Sequence, residues 1–283
     1  MSTVTAYAPS STPAAGLPAL VRAELLKLRT TRLWWALLLV GVVWVLLSSV
    51  VLTLIATLET SMDGGGGGAP VFDPQSPGTL RLIYGSGFLN GYFIPLVLGI
   101  IGMTGEYRHE TITPALLAVP RRGRLVLGKV LAYFLAGLAY GTALTATAVV
   151  GGGAVLALRG FGPGLGAEGV WRTLLLGVLG CGVWAVFGLG LGTLVRNQVV
   201  AVIVALVLVF IVEPAAGFFL GFTSAGASIA QFFPGAASGA IVAGTATEGM
   251  RQLEWWQGAG VLTLYGLVFA GLGAALTTRR DVS

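Results

Sequence analysis

Side chains able to carry bond-making chemistry are few in this sequence and are not brought together by their spacing. One histidine, His109, and one cysteine, Cys181, stand in 283 residues. Cys181 lies inside an apolar run, so no internal disulfide or thiolate metal cluster is expected, and a lone histidine excludes multi-histidine zinc or haem ligation within one chain. Gly85-Ser86-Gly87 could present a nucleophile, but an intramembrane hydrolase also wants a histidine, paired acids or zinc ligands in the bilayer, and His109 sits in a charged loop. Residues 64–68 are five consecutive glycines. A phosphate cradle would need a following Lys-Ser/Thr and a strand–helix context, so this stretch reads as flexible linker. Gly-x-x-x-x-Gly-Lys-Ser/Thr occurs nowhere in the chain. No catalytic residue, metal or cofactor is expected, and the chain is not read as an enzyme.

The residues that do cluster by type are charged ones around a short proline-bounded segment. It runs Gly105-Glu106-Tyr107-Arg108-His109-Glu110-Thr111-Ile112-Thr113-Pro114-Ala115-Leu116-Leu117-Ala118-Val119-Pro120-Arg121-Arg122-Gly123-Arg124. Thr113 is a good N-cap, Pro114 is pre-organised for a first helical position, and Pro120 ends the helix. The pattern predicts a one- to two-turn helix over 113–119, presenting Leu116 and Leu117 between charged flanks. Such a helix is suited to docking into a cleft of a soluble partner; the alternative is an ordinary turn made basic by membrane orientation alone. Upstream, Leu17, Val21, Leu25 and Leu28 fall on one helical face with Arg22, Lys27 and Arg29 off it. That is either a basic amphipathic helix lying along a membrane surface or a run-in to the first span. Glu213 reads as a helix-end acid beside Pro214, near an outer end. Thr142, Thr145 and Thr147 either face a pathway or bond their own helix backbone.

The elements that must position these residues are apolar helices. Hydrophobic residues make up 55% of the chain and charged ones 10%, against roughly 25% charged in soluble domains. A polar coat cannot be assembled from that composition. Uncharged runs define spans at about 33–58, 86–104, 130–158, 173–195, 198–220 and 256–278. The fifth reads Val199 to Val212 before Glu213-Pro214, and reaches bilayer length only if the helix continues past Glu213. Backbone groups in lipid must be satisfied internally, and no ten-residue alternation suggests a barrel, so the class is all-α integral membrane with six spans.

Orientation follows from the basic residues. With the N-terminus inside, cytoplasmic segments hold 12 of the 16 basic residues and four acids, a net +8. The outside keeps Arg81, Arg159, Arg172 and Arg251 with seven acids, a net −3. Both termini are therefore expected in the cytoplasm. Trp34-Trp35 fits the inner interface, and Trp171 and Trp255-Trp256 the outer one. Residues 214–247 are rich in Gly, Ser and Thr and broken by Pro214 and Pro234. A crossing there would put Arg279-Arg280 outside, so this stretch reads as a re-entrant or surface-lying helical hairpin on the outer side. Residues 1–16 read as a disordered tail and 17–283 as a single membrane domain. Residues 1–19 hold no Lys or Arg, so no cleaved signal peptide is expected. Sixteen basic residues are too few for a nucleic-acid surface.

Glu24-Leu25-Leu26-Lys27-Leu28-Arg29 followed by a span resembles the start of permease subunits of the ABC exporters of type 2. The block Gly105-Glu106-Tyr107-Arg108 through Thr111, Pro120-Arg121-Arg122 and Lys129 is similar to their first inner loop. The six-span plan, small-residue-rich third and fourth spans and a proline-broken outer segment match along nearly the whole chain. The resemblance implies a pair of such permeases, homo- or heterodimeric, in a bacterial cytoplasmic membrane, working with a separate ABC ATPase subunit. It implies that the 16–32 helix, with Glu24, Lys27 and Arg29, is a connecting helix. It also implies that 113–119 is a coupling helix, with Glu106, Arg108, Thr111, Thr113, Pro114, Leu116, Leu117, Arg121 and Arg122 linking the ATPase to the spans. The enlarged glycine loop at 64–68 departs from the pattern. The other classes open to such a chain are a secondary transporter, which would normally carry charged relays at mid-depth, and a non-transporting anchor for a partner.

Overall fold

A computed structural model describes residues 16–62, 73–108, 122–195, 197–243 and 253–280, and among these every regular element is helical. The order is α1 (Leu17–Thr30), α2 (Leu33–Met62), α3 (Pro77–Leu89), α4 (Phe93–Arg108), α5 (Arg122–Leu158) and α6 (Val170–Leu194). After these come α7 (Gln198–Val207), a π-helical turn (Leu208–Val212), α8 (Glu213–Leu220), α9 (Ser224–Ala230), α10 (Pro234–Ala243) and α11 (Trp255–Arg280). Among the described residues five stretches are long and apolar enough to cross a membrane: 33–58, 77–108, 123–158, 170–194 and 198–220. The pair α9 and α10, bent by 77°, would add one more if it crosses as a broken span. At 26 residues, α11 is about 39 Å long, more than a ~30 Å hydrocarbon core requires.

The core forms around α6, which packs against α4, α5 and α11. Small residues let the backbones touch. A Cβ on Gly188 would overlap the carbonyl oxygen of Leu96 on α4, and one on Gly99 of α4 would overlap that of Ala185 on α6. Those reciprocal glycines allow a close backbone-to-backbone contact between α4 and α6, the small-residue packing expected where lipid supplies no hydrophobic drive. Trp184 is fully buried in the resulting core with Phe88, Leu96, Ile100 and Phe187. By contrast α2 and the α7–α8 stretch bury little of their surface; Val43, Leu47, Val51, Ile203, Val207 and Ile211 all point outward.

Two breaks depart from the sequence reading. The second membrane stretch begins at Pro77 rather than Ser86 and contains an interruption at Asn90–Tyr92. Pro95 lacks the N–H that would reach Gly91, whose carbonyl accepts from Ile94 instead at 3.0 Å, so the helix restarts there. The freed carbonyl of Asn90 accepts from the indole of Trp44 on α2 at 2.8 Å. Arg81 lies inside α3, where its Nε donates to the carbonyl of Pro77 at the helix start, 3.1 Å. In the fifth stretch Pro214 does not stop the helix. The N–H of Glu213 donates to Leu208, five residues back, and this wider turn accommodates the proline, so the helix runs on to Leu220. Glu213 therefore sits within a continuous helical stretch rather than at its end.

The arm α10 is drawn into the protein. Ser238 is fully buried, accepts from Trp184 Nε1 at 2.9 Å and donates to Pro234 at 2.7 Å, while Thr173 Oγ1 donates to the carbonyl of Val242 at 3.1 Å.

Candidate functional site

One end of the bundle carries a closed ring of four charges. Glu24 comes from α1, Glu106 from the last turn of α4, and Lys129 from the first turns of α5. Lys129 Nζ lies 2.7 Å from Glu24 Oε2 and 2.8 Å from Glu106 Oε1. Lys27, one turn after Glu24, closes the ring at 2.6 Å to Glu24 Oε1 and 3.1 Å to Glu106 Oε1. Glu24, Glu106 and Lys129 are buried, whereas the Lys27 side chain is 51% exposed. Two carboxylates and two ammonium groups cancel, so the cluster has no net charge to attract an ion.

Local sequence explains each position. In α1, Leu20 and Glu24 form the buried stripe, and Leu20 packs so closely on α5 that a Cβ at Gly128 would lie 2.9 Å from it. That contact brings Glu24 over Lys129. On the facing helices, Gly102 and Glu106 are one turn apart, as are Lys129 and Tyr133. The Tyr133 ring occupies the space a side chain at Gly102 would need. Lys129 Nζ lies 5.7 Å from the Tyr133 ring centroid. Burial opposes ionisation of Glu24, but Lys129 and then Lys27 outweigh it, holding its carboxyl below the ordinary 4.5. Burial likewise works against charge on Lys27, but its hydrogen bond to Glu24 and the charge of Glu106 hold its ammonium above the ordinary 10.5. Beside the ring lies a cavity of about 510 Å³ bordered by Trp34, Ile101, Gly105, Arg108 and Gln198.

Of the residues singled out in the sequence, the structure gathers Glu24, Lys27 and Glu106. Arg108 is exposed at the end of α4, and Arg29 is exposed on α1, its carbonyl accepting from Trp34 Nε1 at 3.1 Å. Thr111, Thr113, Pro114, Leu116, Leu117 and Arg121 lie outside the described residues, and Arg122 begins α5 with its side chain outside the description. Lys129 belongs to the block that resembles the first inner loop and precedes the third span, but its sequence context assigns it no site role. A signal for it exists: the chain has 14 arginines and two lysines, and both lysines are in this ring. A compact ammonium can be shared between two carboxylates, whereas a guanidinium fork favours one.

Other candidates resolve into structure. Ser86 is buried within α3 and donates to its own helix at Ile83, 2.6 Å. Thr142 and Thr147 donate to Leu138 and Ala143 one turn back, at 2.9 and 2.8 Å.

What the geometry can do is mechanical. The ring holds no nucleophile; it locks a surface helix to the two helices that flank residues 109–121. A bundle of long apolar helices with a closed ionic ring at one end defines a multi-pass helical membrane protein. The chain belongs to the ABC-2 family transporter proteins, whose family profile matches residues 20–212. That match starts in α1 and takes in all four residues of the ring. No curated protein matches the chain.

Proposed function

We propose that this chain is the permease subunit of an ATP-driven exporter in a bacterial cytoplasmic membrane, paired with a second permease and driven by a separate ABC ATPase. Family membership supports the transport role. The observation that carries the coupling is the four-charge ring. Glu106 stands three residues before the segment 109–121 and Lys129 eight residues after it, and both are tied to α1, Lys129 through Glu24 and Glu106 through Lys27. A push on that segment cannot move α4 or α5 alone; it is passed to three helices together. In this reading 113–119 is the coupling helix, seated in a groove of the ATPase by Arg121 and Arg122. The connecting helix α1 lies on the inner membrane surface, its half-exposed Leu17, Val21 and Leu25 against lipid. ATP-driven closure of two ATPases then pushes two such loops and reorients the spans.

The test is mechanical as well. Inserting Gly-Gly after Leu116 adds about 0.8–1.0 kcal/mol of helix penalty per glycine without touching a span. Reversing Arg121 and Arg122 to Glu should weaken seating. Both variants should insert normally yet lose co-purification with the ATPase, or lose transport-linked ATP turnover. An equal insertion at Gly66 should be silent. Normal ATPase association and export in the Leu116 variant would end this reading.

A further inference from the structure

A second polar feature lies about 20 Å from the ring along the bundle, given the 14 residues from Tyr92 to Glu106 at ~1.5 Å each. Glu213 follows the π-helical turn and lines a cavity of about 530 Å³ between the Asn90–Tyr92 break, α8 and the bent pair α9–α10. Its Oε1 accepts from the backbone N–H groups of Gly235 and Ala236, the latter at 3.2 Å, and so caps α10. Its Oε2 is shut away from solvent and has no hydrogen-bond partner, and no described residue forms an ion pair with it.

Capping explains only half of this side chain. Glutamine could accept the same two N–H groups with its amide oxygen and leave no orphaned charge. The second oxygen and its charge are surplus to the structural role, and unpartnered charge beside apolar walls is costly. The rest of the wall is mostly apolar, with Leu89, Val209 and Phe233 its bulky members and Gln231 and Tyr92 polar-tipped. Tyr92 is held in place by stacking on Trp184, 4.5 Å between centroids, so this wall is preformed. The size falls within the roughly 300–1,000 Å³ of small-molecule sites, which combine apolar walls with a few fixed polar groups.

We propose that this cavity binds an apolar molecule carrying a protonated amine: the Glu213 carboxylate, which lines the cavity, turns its buried Oε2 to meet the amine N–H donors, while the body of the molecule lies against Leu89, Val209 and Phe233. The amine belongs either to a free amphiphile or to a phospholipid headgroup with a primary amine; the recognition chemistry is the same. The inference rests on the permease reading only where the bound amine is taken as cargo, and binding itself needs no ATPase.

The full-length chain in phosphatidylcholine nanodiscs is titrated with dansylcadaverine and with its N-acetyl derivative, which keeps the body and removes the charge. The wild-type protein should prefer the free amine by about 10-fold or more, a preference for a charge-assisted hydrogen bond. Glu213→Gln keeps the cap and should abolish that preference. Gly217→Leu, which fills cavity space where a Cβ meets nothing within 4 Å, should weaken both probes. Replacing part of the phosphatidylcholine by phosphatidylethanolamine separates the two sources: competition identifies a lipid amine as occupant, and its absence a free one. Equal wild-type affinity for the two probes would overturn the proposal, as would an unchanged preference in Glu213→Gln. Should that variant fail to assemble, unaltered binding in Gly217→Leu would overturn it instead. Any of these failures would leave coupling to the ATPase untouched.

Discussion

Lys129 shares one ammonium between carboxylates of two different helices, and its removal leaves Glu24 and Glu106 both buried with only the half-exposed Lys27 to serve them. Breaking a buried ionic group by deleting one partner typically costs about 3–5 kcal/mol, because the remaining charge is uncompensated. Lys129→Met should therefore lower the thermal midpoint of the purified protein more than any single change at Arg22 or Arg29. Adding Glu106→Gln to Lys129→Met should recover part of the loss, since the double variant again balances one acid with one base. A double variant no better than the single would mean the ring's worth is packing, not charge. The ring's response to pH follows from its two displaced groups. A carboxyl held below its ordinary 4.5 contributes stability above that pH and loses it as pH falls through the folded value. An ammonium held above 10.5 contributes below that pH and loses it as pH rises through its folded value. The attachment of α1 should thus be constant from about pH 5 to pH 10, which proteolysis or fluorescence of a label on α1 would show. A transition near neutrality would contradict the charge assignment.

At the scale of elements, the bundle depends on where helices are allowed to touch. Gly188→Ala puts a methyl into the carbonyl of Leu96 and should cost about 1–3 kcal/mol, as overpacking does, whereas Gly260→Ala on α11 meets nothing within 4 Å and should be neutral. Comparable losses at both positions would place the packing seam elsewhere. The helical membrane class was legible because charge boundaries and uncharged runs survive any arrangement of the helices. The breaks were not legible for a physical reason. A proline in sequence marks a missing N–H but not whether the chain stops, restarts or widens its turn; Pro95 restarts a helix and Pro214 is absorbed by a π turn. The four-charge ring was half legible. Glu24, Lys27 and Glu106 stand out by the resemblance, but Lys129 is 105 residues from Glu24 in the chain, and nothing local says they meet. The buried stripe of α1 was also hidden, since it carries Glu24 between Leu20 and Leu28, and a carboxylate on an apolar face gives no local sign of its partner.

At the scale of the molecule, the number of crossings decides which side every site is on. If α11 crosses as well, the five long stretches make six crossings and leave both ends on one side. If α9–α10 crosses as a broken span, there are seven, and the C-terminal arginines lie opposite the ring. Charge favours six, because the ring end also carries the basic flanks of α1, α4 and α5, while Arg172 lies over Trp255 at the far end. The bent pair's buried Ala237, Ser238 and Val242 are covered by protein, as a segment that enters and returns requires. Cysteine labelling can count the crossings cleanly, because the single native thiol, Cys181, is fully buried. Gly166 and Gly123 are both exposed, and a Cβ at either meets nothing within 4 Å, so Gly166→Cys and Gly123→Cys should fold normally. With a membrane-impermeant maleimide on intact cells, Gly166→Cys should label. Gly123→Cys and Arg280→Cys should label only after permeabilisation. Labelling of Arg280→Cys from outside, with Gly123→Cys still protected, would establish an odd number of crossings, seven with α9–α10 as a span or five with α11 left out of the membrane, and end the six-crossing arrangement. Labelling of Gly123→Cys from outside would invert the whole protein and remove the charge ring from any cytosolic ATPase.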